Sequence, residues 1–326
     1  MTTALLGSRR GVIVAVLLAA AGVLLPWIVY PVLAIDIVAF ALFAVAFDLL
    51  LGFTGLLSFG HAMFWGGAGY VSTILLAKAH APFPVAVLAA LVYATLLALI
   101  VGAIAIRRQG IYFAMITLAL AQLQYFFAYQ LEQFTGGENG VQVSSRGNLF
   151  GIGLDNDKGF YYAVLIVTAL GVWLVVRVVR SPFGAVLNAM RENEQRAIAL
   201  GFRVDRYKLI AFVISGTLAG LAGVLFAVGN RLSGLDGVDW HTSGTVVMMS
   251  ILGGIGTVFG PIVGAAIFES LDHFLPTVHL SFFGLVIEVG DKTNIVMGAI
   301  FALCVLLFRR GIVGELLAAR AKRAKP

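Results

Sequence analysis

The chain has 326 residues, of which 60% are hydrophobic and only 12% are charged, with a net charge of +6. A soluble globule of this size cannot bury so much apolar surface, so the composition excludes a soluble enzyme, a disordered chain and a secreted disulfide scaffold. The single Cys304 leaves no disulfide or thiolate metal site within the chain. The composition therefore predicts an all-α polytopic membrane protein.

Apolar runs long enough to cross a bilayer recur along the chain. A spanning helix needs roughly 20 mostly apolar residues. Two regions, 34–77 and 244–275, are interrupted by glycine and have room for two crossings each. Single runs cover residues 11–30, 84–106, 111–131, 159–179, 209–229 and 295–308. Six single crossings and two pairs predict about ten membrane-spanning helices. The first run, 11–30, is interpreted as a membrane-spanning helix and not as a cleaved signal peptide, because it is long and the count of ten spans includes it.

The basic residues predict the orientation. Lys and Arg concentrate at 9–10, 107–108, 177–208 and 309–325. Such residues accumulate on the cytoplasmic side, and each cluster follows an even number of predicted crossings. Both termini are therefore expected in the cytoplasm, and the polar loop 132–158 is expected outside. The basic tail at 309–326 is better explained by anionic lipid headgroups than by nucleic acid.

The sequence has no catalytic constellation. It lacks a phosphate-binding GxxxxGK[ST] loop, and it has no HExxH, CxxC or GxSxG motif. Four acids, Asp36, Asp48, Glu269 and Asp272, fall in or near predicted spans, where charge is costly and often functional. The favoured interpretation is that they cap broken helices or bond polar neighbours, and a proton relay is the alternative. We expect no catalytic residue and no metal site.

Two glycine-rich segments, 51–61 and 252–261, share the pattern LGxxG followed by FG. Repeated glycine at membrane depth is typical either of unwound backbone beside a transport path or of very close helix packing, and the pattern leaves both open. The candidate residues for helix breaks and a path are Gly52, Thr54, Gly55, Ser58, Gly60, His61, Gln122, Gly253, Gly254, Gly256 and Gly260.

The loop at 180–208 is long, polar and patterned. Ser181 and Pro182 form a helix start, with an N-cap followed by proline at the first helical position. A second short helix is predicted over 192–200, with Gly201 as the residue that ends it. Its mixed charges favour a helix that docks on a cytosolic partner over one that rests on lipid headgroups.

Four stretches give the chain a resemblance to a known family. They are residues 47–64, 110–119, 180–208 and 251–261. They occur in the family's order, and the match extends over nearly the whole chain. The chain resembles the M-type inner-membrane permeases of branched-chain amino-acid ABC importers. In that family the loop reads approximately Arg-Glu-Asn-Glu, two alanines and glycine. Arg191, Glu192, Asn193, Glu194 and Gly201 match this pattern, whereas Arg196 beside Ala197 departs from the alanine pair.

The resemblance implies a single ten-helix permease domain over residues 1–326 in the bacterial inner membrane. It implies a second, H-type permease subunit, two ATP-binding cassette subunits and a periplasmic substrate-binding protein as partners. ATP and Mg would be held by those partner subunits and no cofactor by this chain. The loop 180–208 would be the coupling loop, with its ATPase contact at Arg191, Glu192, Glu194, Arg196, Ala197 and Gly201.

Three alternatives remain beside this hypothesis. Relatives that carry urea, short amides or aromatic acids look similar at this level. An ion-coupled secondary transporter is disfavoured because buried acids are few. An intramembrane enzyme that uses Asp48 and His61 is disfavoured because no nucleophile–base spacing supports it.

Overall fold

The computed structural model describes residues 9–149, 152–277, 279–282, 285–288, 293–308 and 311–315. The helices, in chain order, are α1 Arg9–Ile28, α2 Pro31–Thr54, α3 His61–Ala77, α4 Phe83–Ala105, α5 Ile111–Gln130, α6 Glu132–Thr135, α7 Asp157–Arg180, α8 Pro182–Glu192, α9 Glu194–Ala199, α10 Val204–Asn230, α11 Trp240–Gly253, α12 Gly260–Phe274 and α13 Thr293–Leu307. The strands are β1 Val141–Gln142, β2 Asn148–Leu149, β3 Ile152–Gly153, β4 Leu232–Ser233, β5 His279–Phe282 and β6 Leu285–Glu288.

The prediction of an all-α polytopic membrane protein is confirmed. Six helices among the described residues are long and apolar enough to cross a membrane, namely Pro31–Thr54, Phe83–Ala105, Ile111–Gln130, Asp157–Arg180, Val204–Asn230 and Ile295–Glu315. The regions 34–77 and 244–275 each form two helices, as the glycine interruptions indicate. Helices α1, α3, α11 and α12 do not meet the same criterion, so the count of ten crossings stays a prediction.

Helix α2 lies at the centre of the molecule. It is buried along most of its length and packs against α7, α10, α11 and α12. Its proline at the first turn and Gly55 in a left-handed conformation mark its start and end. Because α2 is apolar on every side, it has no face to present to water, which is typical of a helix inside a membrane bundle.

Helices α3, α4 and α10 pack closely through small residues. Alanines recur every fourth residue on the buried side of α4, at Ala86, Ala90, Ala94 and Ala98, while large apolar side chains occupy its exposed side. A Cβ atom added to Gly223 of α10 would lie 2.0 Å from the Trp65 carbonyl oxygen of α3. Small residues allow this approach of backbones, which is how membrane helices commonly associate.

An aromatic cluster joins α2, α3 and α10. The Trp65 ring lies 4.6 Å from the Phe43 ring, 4.7 Å from the Phe40 ring and 5.1 Å from the Phe226 ring, measured between centroids. Trp65 is only 2% exposed. Offset and tilted ring contacts of this kind add to the stabilisation from burial alone.

The connections at the Asn230 end of α10 form small antiparallel pairs. Strand β1 pairs with β4 through Val141 and Ser233, and β2 pairs with β3 through Asn148 and Gly153. Both lie in or beside the polar loop 132–158. Of the predicted basic tail, only residues 311–315 are described, and these are helical.

Candidate functional site

The 180–208 loop folds into two short helices. The Ser181 hydroxyl accepts a hydrogen bond from the Gly184 N–H, and Pro182 occupies the first turn of α8, as predicted. Asn193 ends α8 and begins α9, because its extended backbone interrupts the helix and its Oδ1 accepts from the Arg196 N–H at 2.9 Å. The second helix is therefore Glu194–Ala199 and not 192–200 as predicted. Gly201 has a φ of +87°, which agrees with its predicted role as the terminating residue.

The apolar side of this loop packs within the chain. Leu187, Met190 and Ala197 are buried together with Val204 and Ala211 at the start of α10. The Phe183 and Tyr207 rings stack with their centroids 5.5 Å apart. The loop is thus a packed extension of α10.

Glu194 ties α9 to two other segments. Its Oε1 accepts from the Lys208 ammonium of α10 at 2.7 Å and from the Gln109 amide at 2.7 Å. The Lys208 side chain is only 3% exposed, and Glu194 is its ion-pair partner. Removing one member of such a buried pair typically costs about 3–5 kcal/mol, because the other charge is left without a partner. Glu194 therefore positions α9.

The predicted coupling residues divide into inward and outward groups. Ala197 is buried, and Arg191, although exposed, directs its guanidinium inward and donates to the Gly52 carbonyl oxygen of α2. Glu192, Arg196 and Gly201 are exposed. Three apolar side chains absent from the predicted site residues are exposed beside them, Ile198 at 49%, Leu200 at 71% and Phe202 at 37%. A sequence pattern could have identified these three residues, because they are apolar, lie among charged residues, and belong to a segment too short to span a membrane.

The two glycine segments are turns between consecutive helices. The first glycine turn, residues 55–60, joins α2 to α3, and the second glycine turn, residues 254–259, joins α11 to α12. A Cβ on Gly253 would lie 1.9 Å from the Gly260 carbonyl oxygen, and one on Gly60 would lie 2.5 Å from the Thr117 carbonyl oxygen. The backbone is therefore unwound at both turns and also closely packed at these glycines, and Gly254 and Gly256 adopt positive φ. A transport path beside them stays a prediction.

The polar candidates on the first glycine segment bond within the chain. Thr54 Oγ1 donates to the Leu50 carbonyl at 2.5 Å, and Ser58 Oγ accepts from the Gly60 N–H at 3.3 Å. His61 lies among the Phe47, Phe64 and Phe212 rings, with its Nε2 at 2.8 Å from the Ser215 hydroxyl. These side chains are buried.

Gln122 differs from the other polar candidates. It is half-buried on α5, on the side where Met115 and Phe126 are exposed. The glutamine that faces inward is Gln124, whose Nε2 donates to the Met63 carbonyl at 2.8 Å. Among the residues that the structure describes, the other predicted polar path residues, Thr54, Ser58 and His61, are buried, whereas Gln122 is partly exposed.

Two of the four intramembrane acids have partners, in line with the favoured interpretation. Both carboxylate oxygens of Asp48 accept from the Gly256 N–H, at 2.9 and 3.1 Å, so Asp48 holds the second glycine turn. Asp36 accepts from the Asn230 amide at 2.6 Å.

Arg146, in the polar loop, is buried, which no local sequence pattern indicates. Its guanidinium donates to the Val228 and Gly229 carbonyls at 3.2 and 2.6 Å and to Asp157 at 2.6 Å. These carbonyls belong to the last turn of α10, where intrahelical donors are lacking. Nearby, hydrogen bonds from the Arg146 N–H and the Ser145 hydroxyl lower the pKa of Asp155 below its usual value.

A family model described as branched-chain amino acid transport system / permease component matches residues 30–306. The chain belongs to this family. Its resemblance to branched-chain amino-acid permeases is thereby confirmed, and the family is a membrane transport component, not a catalytic enzyme.

Individual relatives agree with the family match. The chain is 27% identical over 241 residues to the high-affinity branched-chain amino acid transport system permease protein LivM of Escherichia coli (strain K12), which covers 67% of this chain and 57% of that protein. The LivM of Salmonella typhimurium is 26% identical over 243 residues, covering 68% and 57%. The autoinducer 2 import system permease protein LsrC of Photorhabdus laumondii is 33% identical over 111 residues, covering 32% of each chain. The matched region thus spans little more than half of the LivM proteins.

Proposed function

We propose that this chain is the transmembrane permease subunit of an ATP-driven ABC importer that translocates branched-chain amino acids delivered by a periplasmic binding protein. The single observation that supports it best is the 180–208 loop. The loop is anchored to α10 through Glu194 and Lys208, and it leaves Ile198, Leu200 and Phe202 exposed among charges. Apolar side chains with a charged rim are what a protein partner binds.

The proposed partners are two ATP-binding subunits, which would bind this loop and hold ATP and Mg, and a second permease subunit in the inner membrane. Family membership and the LivM relatives support this arrangement. The basic clusters support placing both termini and the loop in the cytoplasm. Gentle purification of the tagged chain from cells that express its co-encoded subunits should recover an ATP-binding subunit. Its absence under several mild detergents would contradict the proposal.

The substrate is tested separately from the coupling. The family also includes relatives named for autoinducer 2 import, so membership does not fix the solute. Calorimetry on the co-encoded binding protein with leucine, isoleucine and valine should show binding. Binding of urea, a short amide or an aromatic acid instead would keep the importer and replace the solute. Ion-driven uptake by liposomes that hold this chain alone would favour the secondary transporter.

Two variants of the loop test its role in transport. Glu194→Arg places a positive charge against Lys208, and Gly201→Val forces a β-branched residue to the left-handed φ, so both should abolish uptake while the chain still inserts. Uptake of labelled substrate and abundance in the membrane fraction are the measurements.

Matched controls accompany these two variants. Glu138→Arg makes the same charge change at an exposed site in the polar loop, and Gly201→Asn keeps a residue that tolerates positive φ. Both controls should retain uptake. Normal uptake by Glu194→Arg and Gly201→Val would refute the assignment of the loop.

A further inference from the structure

Three segments meet at what we term the turn junction, defined by Asp48, Gly52, Arg191 and Gly256. Arg191 lies in the last turn of α8 and donates to the Gly52 carbonyl oxygen in the last turn of α2. The final carbonyls of a helix have no partner within it, and a cation there also interacts favourably with the helix dipole. Arg191 thus caps the central helix from the 180–208 loop.

Asp48 extends the turn junction to the second glycine turn. It lies one helical turn before Gly52, is only 1% exposed, and accepts from the Gly256 N–H. A Cβ on Gly52 would lie 2.6 Å from the Gly256 nitrogen, so the turn rests directly on α2. A Cβ on Gly256 would in turn lie 3.1 Å from the Arg191 guanidinium. The end of α2, the end of α8 and the second glycine turn, which are distant in sequence, therefore contact one another at the turn junction.

We propose that Arg191 and Asp48 are positioning residues that transmit displacement of the 180–208 loop to both glycine turns. Arg191 binds the end of α2, from which the first glycine turn continues at Gly55. Asp48 binds Gly256 and so makes the second glycine turn follow the same helix end. This inference rests on the proposed function, since it assigns a route to the movement that an ATP-binding partner would impose.

The geometry explains why one loop can act on two turns. Glu194 and Lys208 tie the loop to α10, whereas Arg191 ties it to α2, and α2 is packed against α10. Packed helices move as rigid elements with few alternative arrangements. A shift of α8 therefore displaces the Gly52 end of α2, and the hydrogen bond from Gly256 carries the second turn with it.

The test follows the reactivity of introduced cysteines in the complete complex. Cys304→Ser removes the one native cysteine. Ile255→Cys reports on the second glycine turn, where Ile255 is 37% exposed, and Leu57→Cys reports on the first, where Leu57 is half-buried. Alkylation by a water-soluble maleimide is timed with and without a non-hydrolysable ATP analogue. We expect the analogue to change the rate at both positions.

Substitutions at the turn junction should remove that change selectively. Arg191→Gln is expected to abolish the nucleotide-dependent change at both reporters, because the neutral glutamine amide lies two bonds closer to the backbone than the terminal guanidinium nitrogens. Arg191→Lys should restore part of the change, because lysine keeps the positive charge and most of the length needed to donate to the Gly52 carbonyl. Asp48→Ala should abolish the nucleotide-dependent change in alkylation rate at Ile255→Cys and preserve that change at Leu57→Cys. Asp48→Asn keeps an acceptor for the Gly256 N–H, so the change should be preserved at both reporters. Arg180→Gln, which removes one exposed positive charge from the start of the same loop, should leave both changes intact.

The outcomes separate this inference from the proposed function. Recovery of no ATP-binding subunit refutes the proposed function. Recovery of the complex with no nucleotide-dependent change at either reporter, or with an undiminished change in Arg191→Gln, overturns the inference alone. A purely structural role for these residues would lower the unfolding temperature in Arg191→Gln and Asp48→Ala and leave the nucleotide response intact, which also overturns it. If Arg191→Gln does not assemble, the contrast between Asp48→Ala and Asp48→Asn decides.

Discussion

Single residues without side chains determine how closely this bundle packs. At Gly223 the backbones of α10 and α3 approach so nearly that a Cβ would lie 2.0 Å from a carbonyl oxygen, and neither backbone can rotate away as a side chain would. At Gly244 of α11, by contrast, a Cβ would have no neighbour within 4 Å among the described residues. The same residue type thus has opposite roles at the two sites.

We predict that Gly223→Ala destabilises the protein and that Gly244→Ala does not. Overpacking a closely packed site costs typically 1–3 kcal/mol, whereas alanine in a helix is favoured over glycine by about 1 kcal/mol. The measurement is the thermal unfolding midpoint of each variant in detergent. Equal midpoints for Gly223→Ala and wild type would show that the helices can separate without cost.

At the scale of elements, the short helix α9 depends on its cap. It has only six residues, too few for helix propensity alone to stabilise it, and the Asn193 side chain bonds its first turn. Two further contacts, from Lys208 and Gln109 to Glu194, hold it in place. The loop is therefore ordered by a few polar bonds on an apolar base.

Asn193→Ala should loosen α9 without disturbing α8. Loss of an N-cap costs about 0.5–2 kcal/mol, a large share of the stability of so short a helix. Hydrogen–deuterium exchange over residues 194–199 should become faster, and Asn193→Asp should restore the slow exchange. Gln195→Ala, an exposed change in the same helix, serves as the control. Unchanged exchange in Asn193→Ala would mean that the contacts of Glu194 and the apolar base order α9 without the cap.

Local sequence patterns predict the helices and turns better than they predict the contacts between these elements. The two glycine segments and the Ser181-Pro182 start were recognisable because hydrophobic runs, glycine and caps act within a few residues. The bond from Asp48 to Gly256 joins residues 208 positions apart, and no local pattern encodes such a pairing. Arg146 shows the same limit, because its burial depends on the distant carbonyls of Val228 and Gly229.

Competition between side-chain and backbone hydrogen bonds explains why the second loop helix is shorter than predicted. Charge and hydrophobic spacing predicted a helix over 192–200, but the Asn193 side chain competes for backbone N–H groups and favours a cap. The two-residue strands were not anticipated because strands so short carry no alternation. The pairing of β1 with β4 also joins distant segments of the chain, at Val141 and Ser233.

At the scale of the molecule, two buried helices, α2 and α10, connect two differently built ends. At one end, Arg146 and the β1–β4 pair fasten the polar loop to the last turn of α10. At the other end, the 180–208 loop and the two glycine turns converge on α2. Helices α2 and α10 run between these ends, and α4, α5 and α7 are mostly exposed apolar surface around them. Such a surface suits lipid or a second permease subunit.

The cluster around Trp65 gives the molecule a built-in optical reporter. Of the four tryptophans, Trp27 and Trp173 are 72% and 62% exposed and Trp240 is 39% exposed, whereas Trp65 is shielded by rings from α2 and α10. We expect quenchers dissolved in the bilayer to reduce the emission of Trp27 and Trp173 and to spare that of Trp65. In a chain with the other three changed to phenylalanine, emission that brominated lipid quenches strongly would contradict this shielding. If the shielding holds, the fluorescence that remains after quenching comes from Trp65. It therefore reports on the contact between α2, α3 and α10, and the surrounding helices do not contribute to it.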